Sequence, residues 1–329
     1  MNFQSISPVE TSKEMLDTAF KKARERSTEK KLKGNWLEVV RKKEAIKLDI
    51  IKDVIQTKLQ KIHTTFPSLK DLPYFYVELI KVTQDFGEFK RSLAALEWAQ
   101  RTLSLIHRQY VAKIMTSTNR ELIKSFSAQF YGRASSVIKQ LDPQLKFLER
   151  SRKIMRTYPD IKEMFTVCIY GFPNVGKTTI LNQLTGTKAK TAAYAFTTKS
   201  INAGYTIING EKVQFLDVPG TLARDEKMNL IEQQAELVVS ELASLIIYVF
   251  DLSETSGYSI SQQEQLYQKI KKKKNTIVYL NKLDLTPPNV LKAFKHPHMN
   301  WEQIQEEISR TLALVPKKEP ESEAEEDNL

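Results

Sequence analysis

Hydrophobic and polar positions follow two different patterns along the chain, and the change falls close to residue 160. From residue 9 to residue 159, Leu, Ile, Val and Phe recur at three- and four-residue spacing, which is the spacing of one face of an α-helix. Breaks at Gly34, Pro67 and Thr118 separate four long segments. We predict helices over residues 10–31, 36–64, 74–116 and 118–155, with Gly87 as a candidate point of division in the third. This half of the chain is therefore predicted to be a helical bundle.

From residue 165 onward, short apolar runs alternate with helical segments, which is typical of a mostly parallel sheet with crossover helices. We predict strands over residues 165–170, 201–208, 211–218, 245–251 and 276–281. Helices are expected over residues 179–184, 259–274 and 301–315. The Asn209-Gly210 pair favours a hairpin turn, because both residues readily take positive φ. The fold class is α plus α/β, with a bundle over residues 1–160, an α/β domain over 161–315 and an acidic, disordered tail over 316–329.

Charge is unevenly divided between the two halves. The chain has a net charge of +11, from 50 Lys and Arg against 39 Asp and Glu. Residues 1–165 hold 32 basic and 19 acidic side chains, a net of +13, which leaves 18 basic and 20 acidic side chains in residues 166–329. The excess positive charge belongs to the helical half, where it favours a polyanion as partner.

Three features of the sequence bear on its location. The longest apolar run, residues 245–250, is far below the roughly 20 residues that span a bilayer, so we expect no membrane contact. Residues 1–10 have neither an apolar core nor a positive start, which argues against a secretory signal. The single cysteine, Cys168, excludes an intramolecular disulfide and fits a reducing compartment. We expect a cytoplasmic protein and take it to be a monomer.

A phosphate-binding motif stands between the first predicted strand of the α/β domain and the helix that follows. Residues 171–178 match the P-loop pattern G-x-x-x-x-G-K-[ST]. Its glycines let backbone N–H groups close around phosphate oxygens at a helix N-terminus. Lys177 is expected to reach the terminal phosphates as a catalytic residue, and the Thr178 hydroxyl to ligate Mg²⁺. The predicted nucleotide contacts here are Gly171, Phe172, Pro173, Asn174, Val175, Gly176, Lys177, Thr178 and Thr179.

Two further motifs end predicted strands. Residues 217–220 fit D-x-x-G, in which the carboxylate holds Mg²⁺ through water and the glycine N–H meets the γ-phosphate. Residues 281–284 fit N-K-x-D, whose last carboxylate accepts hydrogen bonds from the ring N–H and exocyclic amine of guanine. Adenine would leave that carboxylate unpaired, so the motifs indicate GTP and GDP as ligands and disfavour ATP. The predicted contacts here are Asp217, Gly220, Asn281, Lys282 and Asp284.

A threonine that senses the γ-phosphate is expected in the polar stretch of residues 191–199, which we predict to be a mobile loop. Without the surrounding motifs, a simple β-favouring loop would be an equal interpretation. Thr198 is our choice for this catalytic, Mg²⁺-ligating residue, with Thr197 as the second choice and Phe196 beside the nucleotide. Mg²⁺ would then be held by Thr178, Thr198 and, through water, Asp217.

Several runs of residues resemble one family. Residues 194–199 (YAFTTK), together with the P-loop, resemble the Obg-related GTPases. Within that group, residues 66–69 (FPSL), 93–99 (LAALEWA) and 129–136 (QFYGRASS) resemble the nucleolar GTP-binding protein family in its short archaeal form. The likeness covers the chain up to about Gly257. It implies a helical bundle, a Ras-like P-loop G domain of the OBG type and an association with assembly of the large ribosomal subunit.

Two departures from the family pattern bear on activity. Thr221, followed by Leu222, stands after Gly220, where this family usually has an apolar residue and Ras-like proteins place a water-orienting glutamine, so we expect slow intrinsic hydrolysis of GTP to GDP and phosphate. The last guanine-contacting segment, usually S-A-[LK]-like after a further strand, is missing between residues 285 and 300. Either this edge of the domain is trimmed or another loop caps the base, which would weaken nucleotide affinity. His296 and His298 in this interval are expected to be solvent-exposed loop residues and not a metal site.

The basic half offers phosphate contacts to ribosomal RNA, which makes the large ribosomal subunit or its precursor the expected partner. The candidate contacts are Lys21, Lys22, Arg24, Arg26, Lys30, Lys31, Lys33, Arg41, Lys42 and Lys43. We expect a slow GTPase that acts as an RNA-associated assembly factor for that subunit, with no DNA partner. The alternative is a GTP-gated protein-interaction switch that contacts a partner protein through the bundle without binding ribosomal RNA.

Asn174 generates a testable prediction about monovalent cations. It stands where potassium-stimulated relatives place the P-loop asparagine that helps to bind K⁺ near the phosphates, although asparagine is also a common turn former. We expect GTP hydrolysis, measured as phosphate release, to be faster in KCl than in NaCl at equal ionic strength. Equal rates in the two salts would contradict a K⁺ site.

Overall fold

The chain folds as two units, a helical one over residues 2–158 and an α/β one from residue 159 onward. The computed structural model describes residues 3–29, 32–158, 161, 164–186, 192–196, 199–218 and 230–314. No helix in these ranges combines the length and the apolar character that crossing a membrane requires.

The helical unit has six α-helices in its described residues, which confirms the predicted helical bundle. They are α1 (Ser12–Glu29), α2 (Trp36–Thr65), α3 (Tyr74–Thr83), α4 (Phe86–Thr116), α5 (Arg120–Gln140) and α6 (Asp142–Met155), after a 3₁₀ turn at Phe3–Ser5. The two longest helices, α2 and α4, pack against each other, and both pack against α5.

Apolar residues at three- and four-residue spacing form the core of the bundle. Each helix buries one such face, so that the ridges of one helix fill the grooves of the next. Fully buried side chains include Leu48, Ile51, Ile55, Leu59, Leu96, Leu103, Phe130 and Ile138. Burying a leucine, isoleucine or phenylalanine of this kind contributes about 1.5–3 kcal/mol, so the helices are held mainly by this seam.

The predicted helix over residues 74–116 is divided, but not at Gly87. α3 ends where Gln84 takes an extended conformation, with φ −157° and ψ 168°. Asp85 then begins α4 as its N-cap, because its Oδ1 accepts the backbone N–H of Glu88 at 2.7 Å. Gly87 lies inside the first turn of α4. The aspartate that caps the new helix, and not the glycine, is the physical cause of the break.

The predicted helix over residues 118–155 was also wrong as a single element. It is divided at Leu141, which ends α5 and precedes α6. Pro143 stands in the first turn of α6. At that position a proline loses no helical hydrogen bond, and its restricted φ suits a helix start. Pro143 is thus a start signal that the periodicity alone did not reveal.

The α/β unit is built on one six-stranded sheet. Its strands are β1 (Thr166–Tyr170), β2 (Ala192–Phe196), β3 (Lys199–Ile208), β4 (Glu211–Asp217), β5 (Leu245–Asp251) and β6 (Thr276–Asn281). They lie in the order β2-β3-β4-β1-β5-β6. β1 pairs in parallel with β4 and β5, and β5 pairs in parallel with β6, whereas β3 pairs antiparallel with both β2 and β4. The predicted mostly parallel sheet is confirmed.

Helices connect and cover these strands. They are α7 (Lys177–Thr185), α8 (Leu230–Leu242), α9 (Ile260–Lys271), α10 (Pro288–Ala293) and α11 (Trp301–Leu314), with a 3₁₀ turn at Leu283–Leu285. β1 and β5 are buried along their whole length, so they are the central strands. Loops that follow parallel strands collect at the carboxyl edge of such a sheet, where ligands bind in α/β folds. The three predicted motifs all follow β1, β4 or β6.

The prediction of a loop over residues 191–199 was wrong for part of that stretch. Residues 192–196 form β2, which pairs with β3 from Ala192 opposite Ala203 to Phe196 opposite Lys199. β3 also begins at Lys199 and not at residue 201. The reason is that β3 would otherwise leave a row of backbone N–H and C=O groups unpaired on one side, and β2 satisfies them. The polarity of residues 191–199 gives no information about strand pairing, so the sequence did not reveal that these residues pair with β3.

Removal of the α4 cap provides a test of the helix boundary. We expect Asp85→Ala to lower the free energy of unfolding by about 1 kcal/mol, because the Glu88 N–H loses its acceptor. Urea unfolding followed by circular dichroism measures the change. The matched control is Asp71→Ala, which removes an exposed acid from the turn before α3. An equal loss in both variants would contradict the capping role.

Candidate nucleotide-binding site

The loop between β1 and α7 presents backbone N–H groups at a helix N-terminus. β1 ends at Tyr170 and α7 begins at Lys177. Three positions between them have positive φ: Gly171 at 149°, Asn174 at 62° and Gly176 at 97°. A Cβ at Gly176 would lie 2.1 Å from the Asn281 amide nitrogen, so only glycine fits there. The resulting N–H groups and the dipole of α7 favour a phosphate anion.

Lys177 is buried at the base of this loop. Its Nζ donates to the backbone oxygen of Gly171 at 3.1 Å and to that of Phe172 at 2.8 Å. The two carbonyl groups hold the ammonium group within the loop that is predicted to enclose the phosphates. A cation at this point can form charge-assisted hydrogen bonds with phosphate oxygens. The structure thus places Lys177 in the loop, and its contact with the terminal phosphates stays a prediction.

Thr178 and Asp217 meet beside the phosphate loop. The Thr178 hydroxyl donates to Asp217 Oδ2 at 2.5 Å, although the two residues come from α7 and the end of β4. Asn202, which lies opposite Asp217 in the β3–β4 ladder, also donates to Oδ2, at 3.2 Å. The result is a pair of oxygen ligands of the type that Mg²⁺ prefers, in which Asp217 is buried and Thr178 is exposed. Asn202 was not predicted, and only the strand register reveals it.

The N-K-x-D motif is fixed to the phosphate loop by its first residue. Asn281 Nδ2 donates to the backbone oxygen of Val175 at 2.8 Å. Asp284 lies in the 3₁₀ turn Leu283–Leu285 and is exposed. An exposed carboxylate in this motif can accept hydrogen bonds from a base. The structure therefore brings the predicted base-selecting motif and the predicted phosphate loop into contact.

A buried carboxylate that we did not predict supports Lys282. The side chain of Asp251, at the end of β5, has no exposed surface, and its Oδ2 lies 2.8 Å from Lys282 Nζ. The same Oδ2 accepts the backbone N–H of Ser256 at 2.8 Å, and Oδ1 accepts the Ser253 hydroxyl at 2.5 Å. Lys282 has a positive φ of 56°, which is unfavourable for a residue with a side chain. The ion pair holds that backbone conformation at the centre of the motif.

The same contacts control the charge state of Asp251. Burial on its own would raise the pKa of the carboxyl group, but hydrogen bonds from Lys282, Ser253 and Ser256 outweigh burial and hold the pKa below its usual range. The carboxylate therefore stays charged at neutral pH. A sequence signal for this residue existed, because an aspartate at the end of a central parallel strand lies at the ligand-binding edge of the sheet.

Several predicted site residues cannot be placed. Thr197, Thr198 and Gly220 lie outside the described residues. Phe196 is described only as the last residue of β2. The γ-phosphate-sensing threonine and the third Mg²⁺ ligand therefore stay predictions.

The segment after Asp284 contains no further strand in residues 285–314, all of which the structure describes. The interval holds the short helix α10, and then the Met299 N–H donates to the Val278 oxygen at 2.9 Å, on β6. A segment of irregular backbone is thus hydrogen-bonded to one edge of β6, and the other edge of β6 pairs with β5. This arrangement agrees with a trimmed domain edge that lacks the usual last guanine-contacting segment.

The prediction that His296 is a solvent-exposed loop residue was wrong. Its Nε2 lies 2.8 Å from Glu264 Oε2, and its ring is half-buried. The ring stacks near Phe250, with an interplanar angle of 15°, and meets the edge of Tyr267. The aromatic residues of β5 and α9 provide an apolar surface for it that the local Pro-flanked sequence did not indicate. His298 is exposed, as expected.

Comparison with known proteins relates both units to one family. Residues 3–162 match the family described as the NOG1 N-terminal helical domain, and residues 166–282 match the family described as a 50S ribosome-binding GTPase. An uncharacterized protein of Methanocaldococcus jannaschii is 37% identical over 253 residues, which cover 76% of this chain and 71% of that protein. Nucleolar GTP-binding protein 1 of Drosophila melanogaster is 30% identical over 295 residues, or 88% of this chain and 45% of that protein.

The chain belongs to the nucleolar GTP-binding protein family. Its second unit is a P-loop GTPase domain, so this member of the family binds GTP and GDP. The chain spans less than half the length of the Drosophila relative. Nucleolar GTP-binding protein 1 of Plasmodium falciparum, a solved structure, is 21% identical over 47% of this chain and 90% of that chain, with a TM-score of 0.38. A likeness at that level adds nothing to the family assignment.

Asp251 can be tested as a positioning residue for the guanine-binding motif of this family member. We expect Asp251→Asn to speed GDP release about tenfold, a loss of about 1.4 kcal/mol of binding, because Lys282 loses its charged partner. Release of a fluorescent GDP analogue measures the effect. Ser253→Ala is the control, since it removes one neutral donor and keeps the ion pair. A wild-type release rate in folded Asp251→Asn would contradict the role.

The same variant has a defined pH dependence. Because the pKa of Asp251 is lowered from its ordinary value of 3.8, the carboxylate stabilises the folded protein above that pH, and its contribution is lost as the pH falls through the lower, folded-state pKa. The stability difference between wild type and Asp251→Asn should be complete at pH 7 and shrink as the pH falls below about 4.

Proposed function

We propose that this protein is a slow GTPase that acts as an RNA-associated assembly factor for the large ribosomal subunit. The observation that carries the proposal is the segregation of charge, with a net of +13 over residues 1–165 next to a nearly neutral GTPase domain. A helical unit with a net positive charge attracts polyanions such as ribosomal RNA. The GTPase domain would control that binding by its change from a GTP-bound to a GDP-bound state. The match to a family described as a 50S ribosome-binding GTPase supports the same partner.

The basic surface of the helical unit is available for such contacts on α1. Its exposed basic residues include Lys21, Lys22, Arg24 and Arg26. Arg41, another candidate, has a structural contact, because its Nε donates to the Ser117 oxygen at 2.7 Å. Lys30 and Lys31 lie outside the described residues. Lys33 and Lys42 are also exposed, and the proposal rests on these two residues together with those of α1.

Mg²⁺ fits the oxygen ligands of the GTPase domain. Thr178 and Asp217 would hold the ion, directly and through water, with Thr198 as the proposed third ligand. When bound, Mg²⁺ would neutralise charge on the β- and γ-phosphates. Lys177 would bind the terminal phosphates from the loop, and Asn202 would orient the Asp217 carboxylate. Asp284 would select guanine.

Slow hydrolysis follows from the residues after Gly220. Thr221 and Leu222 have no side-chain amide with which to orient the attacking water, so the rate of GTP hydrolysis would depend on an activator or on K⁺ near Asn174. A slow intrinsic rate suits a factor that stays on its target until a signal arrives. We propose a cytoplasmic monomer as the working form.

The test is co-sedimentation of the full chain with ribosomal subunits of its own organism. We expect binding to the large subunit with a non-hydrolysable GTP analogue and release with GDP. Lys21→Glu combined with Lys22→Glu should weaken binding about tenfold, through lost phosphate contacts. Lys271→Glu combined with Lys272→Glu is the control with the same charge change, on exposed residues of the GTPase domain.

Two outcomes would count against the proposal. Absence of binding in both nucleotide states, with nucleotide shown to be bound, would remove the ribosome and favour the alternative, a GTP-gated protein-interaction switch. Equal weakening by the two double variants would show that net charge, and not the α1 surface, determines the binding.

A further inference from the structure

The outward face of α4 carries three large apolar side chains, Trp98, Leu105 and Met115, along one line. Exposed residues recur along it at alternating spacings of three and four, which is the period of a helix that packs lengthwise against another helix. We call this set the α4 outer stripe; its members are Trp98, Arg101, Leu105, Arg108, Ala112 and Met115. From Trp98 to Met115 the stripe is about 26 Å long, or nearly five helical turns.

The stripe lies opposite the face that α4 buries in the bundle. The buried face includes Leu96, Leu103 and Tyr110 and packs against α2, α5 and α6. On the stripe, Leu105 is 65% exposed, and Trp98 and Met115 are 46% and 45% exposed. An apolar side chain that stays exposed to water does not obtain the favourable free energy that its burial would provide. α4 therefore has one face buried in the bundle and an opposite face with exposed apolar side chains.

Charge along the stripe is predominantly positive. The exposed charged residues of α4 from Glu97 to Met115 are Glu97, Arg101 and Arg108, a net of +1. The one acid in this set, Glu97, is already paired with Arg101 at 3.3 Å and with His63 at 3.1 Å. Any surface that covers the apolar residues would come close to these basic groups. An acidic surface would be attracted to them, and a basic one repelled.

We propose that the α4 outer stripe docks an amphipathic α-helix with acidic flanks from a partner protein. A straight line of apolar side chains about 26 Å long on one helix matches the length and shape of the apolar face of a second helix. Leu105, Ala112 and Met115 favour an apolar partner face over RNA, which would be recognised by aromatic stacking and phosphate contacts. The small Ala112 allows the partner backbone to approach closely.

This docking site goes beyond the proposed ribosomal function and does not depend on it. It needs neither bound nucleotide nor the basic residues of α1. A chain that fails to bind ribosomal subunits can still dock a helix, and one that binds them can lack this site.

The probe is a synthetic, fluorescently labelled helix of four heptads with Leu at the a and d positions and Glu at the e and g positions. We expect the full chain to bind it, and to bind a twin with Lys in place of Glu about tenfold more weakly. Leu105→Glu should weaken binding of the acidic helix about tenfold, because it places a carboxylate at the centre of the stripe. Fluorescence anisotropy measures all three.

The control for the substitution is Ile207→Glu, which makes a comparable change at a residue of β3 that is 72% exposed. It should leave binding unchanged. Met115→Glu serves as a second stripe variant, and circular dichroism establishes that each variant is folded. Equal effects of Leu105→Glu and Ile207→Glu, or equal binding of the acidic and basic helices, would overturn the proposal.

Two further outcomes would assign the stripe to another occupant and so overturn the proposal. Light scattering would show a dimer that Leu105→Glu converts to a monomer if the occupant is a second copy of this chain. A single-stranded RNA that displaces the acidic helix, and that binds Trp98→Ala more weakly than Ile207→Glu, would make it a nucleic-acid surface.

Discussion

One close approach joins the two loops that define the nucleotide site. Asn281 donates to the Val175 oxygen at 2.8 Å, and its amide occupies the space that a side chain at Gly176 would need. The two loops follow different strands, so their spacing also depends on the register of β1, β5 and β6. A hydrogen bond of this type contributes about 1 kcal/mol to stability. Its geometric effect is larger, because it fixes the separation between the phosphate-binding and base-selecting parts of the site.

Asp251 extends this constraint to the next residue of the motif. β5 lies between β1 and β6, so a carboxylate at its end reaches the loop after β6. Lys282 holds a backbone conformation that costs of order 1–3 kcal/mol for a residue with a side chain, and the buried ion pair helps to offset that cost. The lysine thus connects Asp251 to the turn that carries Asp284. No further strand follows Asp284 in residues 285–314, so this ion pair supports the base-selecting turn from within the sheet.

The helical unit is governed by a different constraint, the burial of one face of each long helix. Once those faces are buried, the remaining charges and apolar residues lie outside, and they are not distributed evenly. α1 presents a cluster of basic side chains, whereas α4 presents apolar residues with arginines among them. The two surfaces differ in chemistry, as do the partners that we propose for them, a polyanion for α1 and a protein helix for α4.

The sequence by itself determined the fold class, the phosphate loop and the identity of the base, because each depends on short runs such as residues 171–178 and 281–284, whose chemistry is local. It could not determine that residues 192–196 form a strand, that Asn202 reaches Asp217, that Asp251 reaches Lys282 or that His296 packs among aromatic rings. Except for the pairing of β2 with the neighbouring β3, these features join residues far apart along the chain. Only the tertiary structure decided them, because a strand edge, a buried charge or an aromatic surface acts on whichever residue the fold brings next to it.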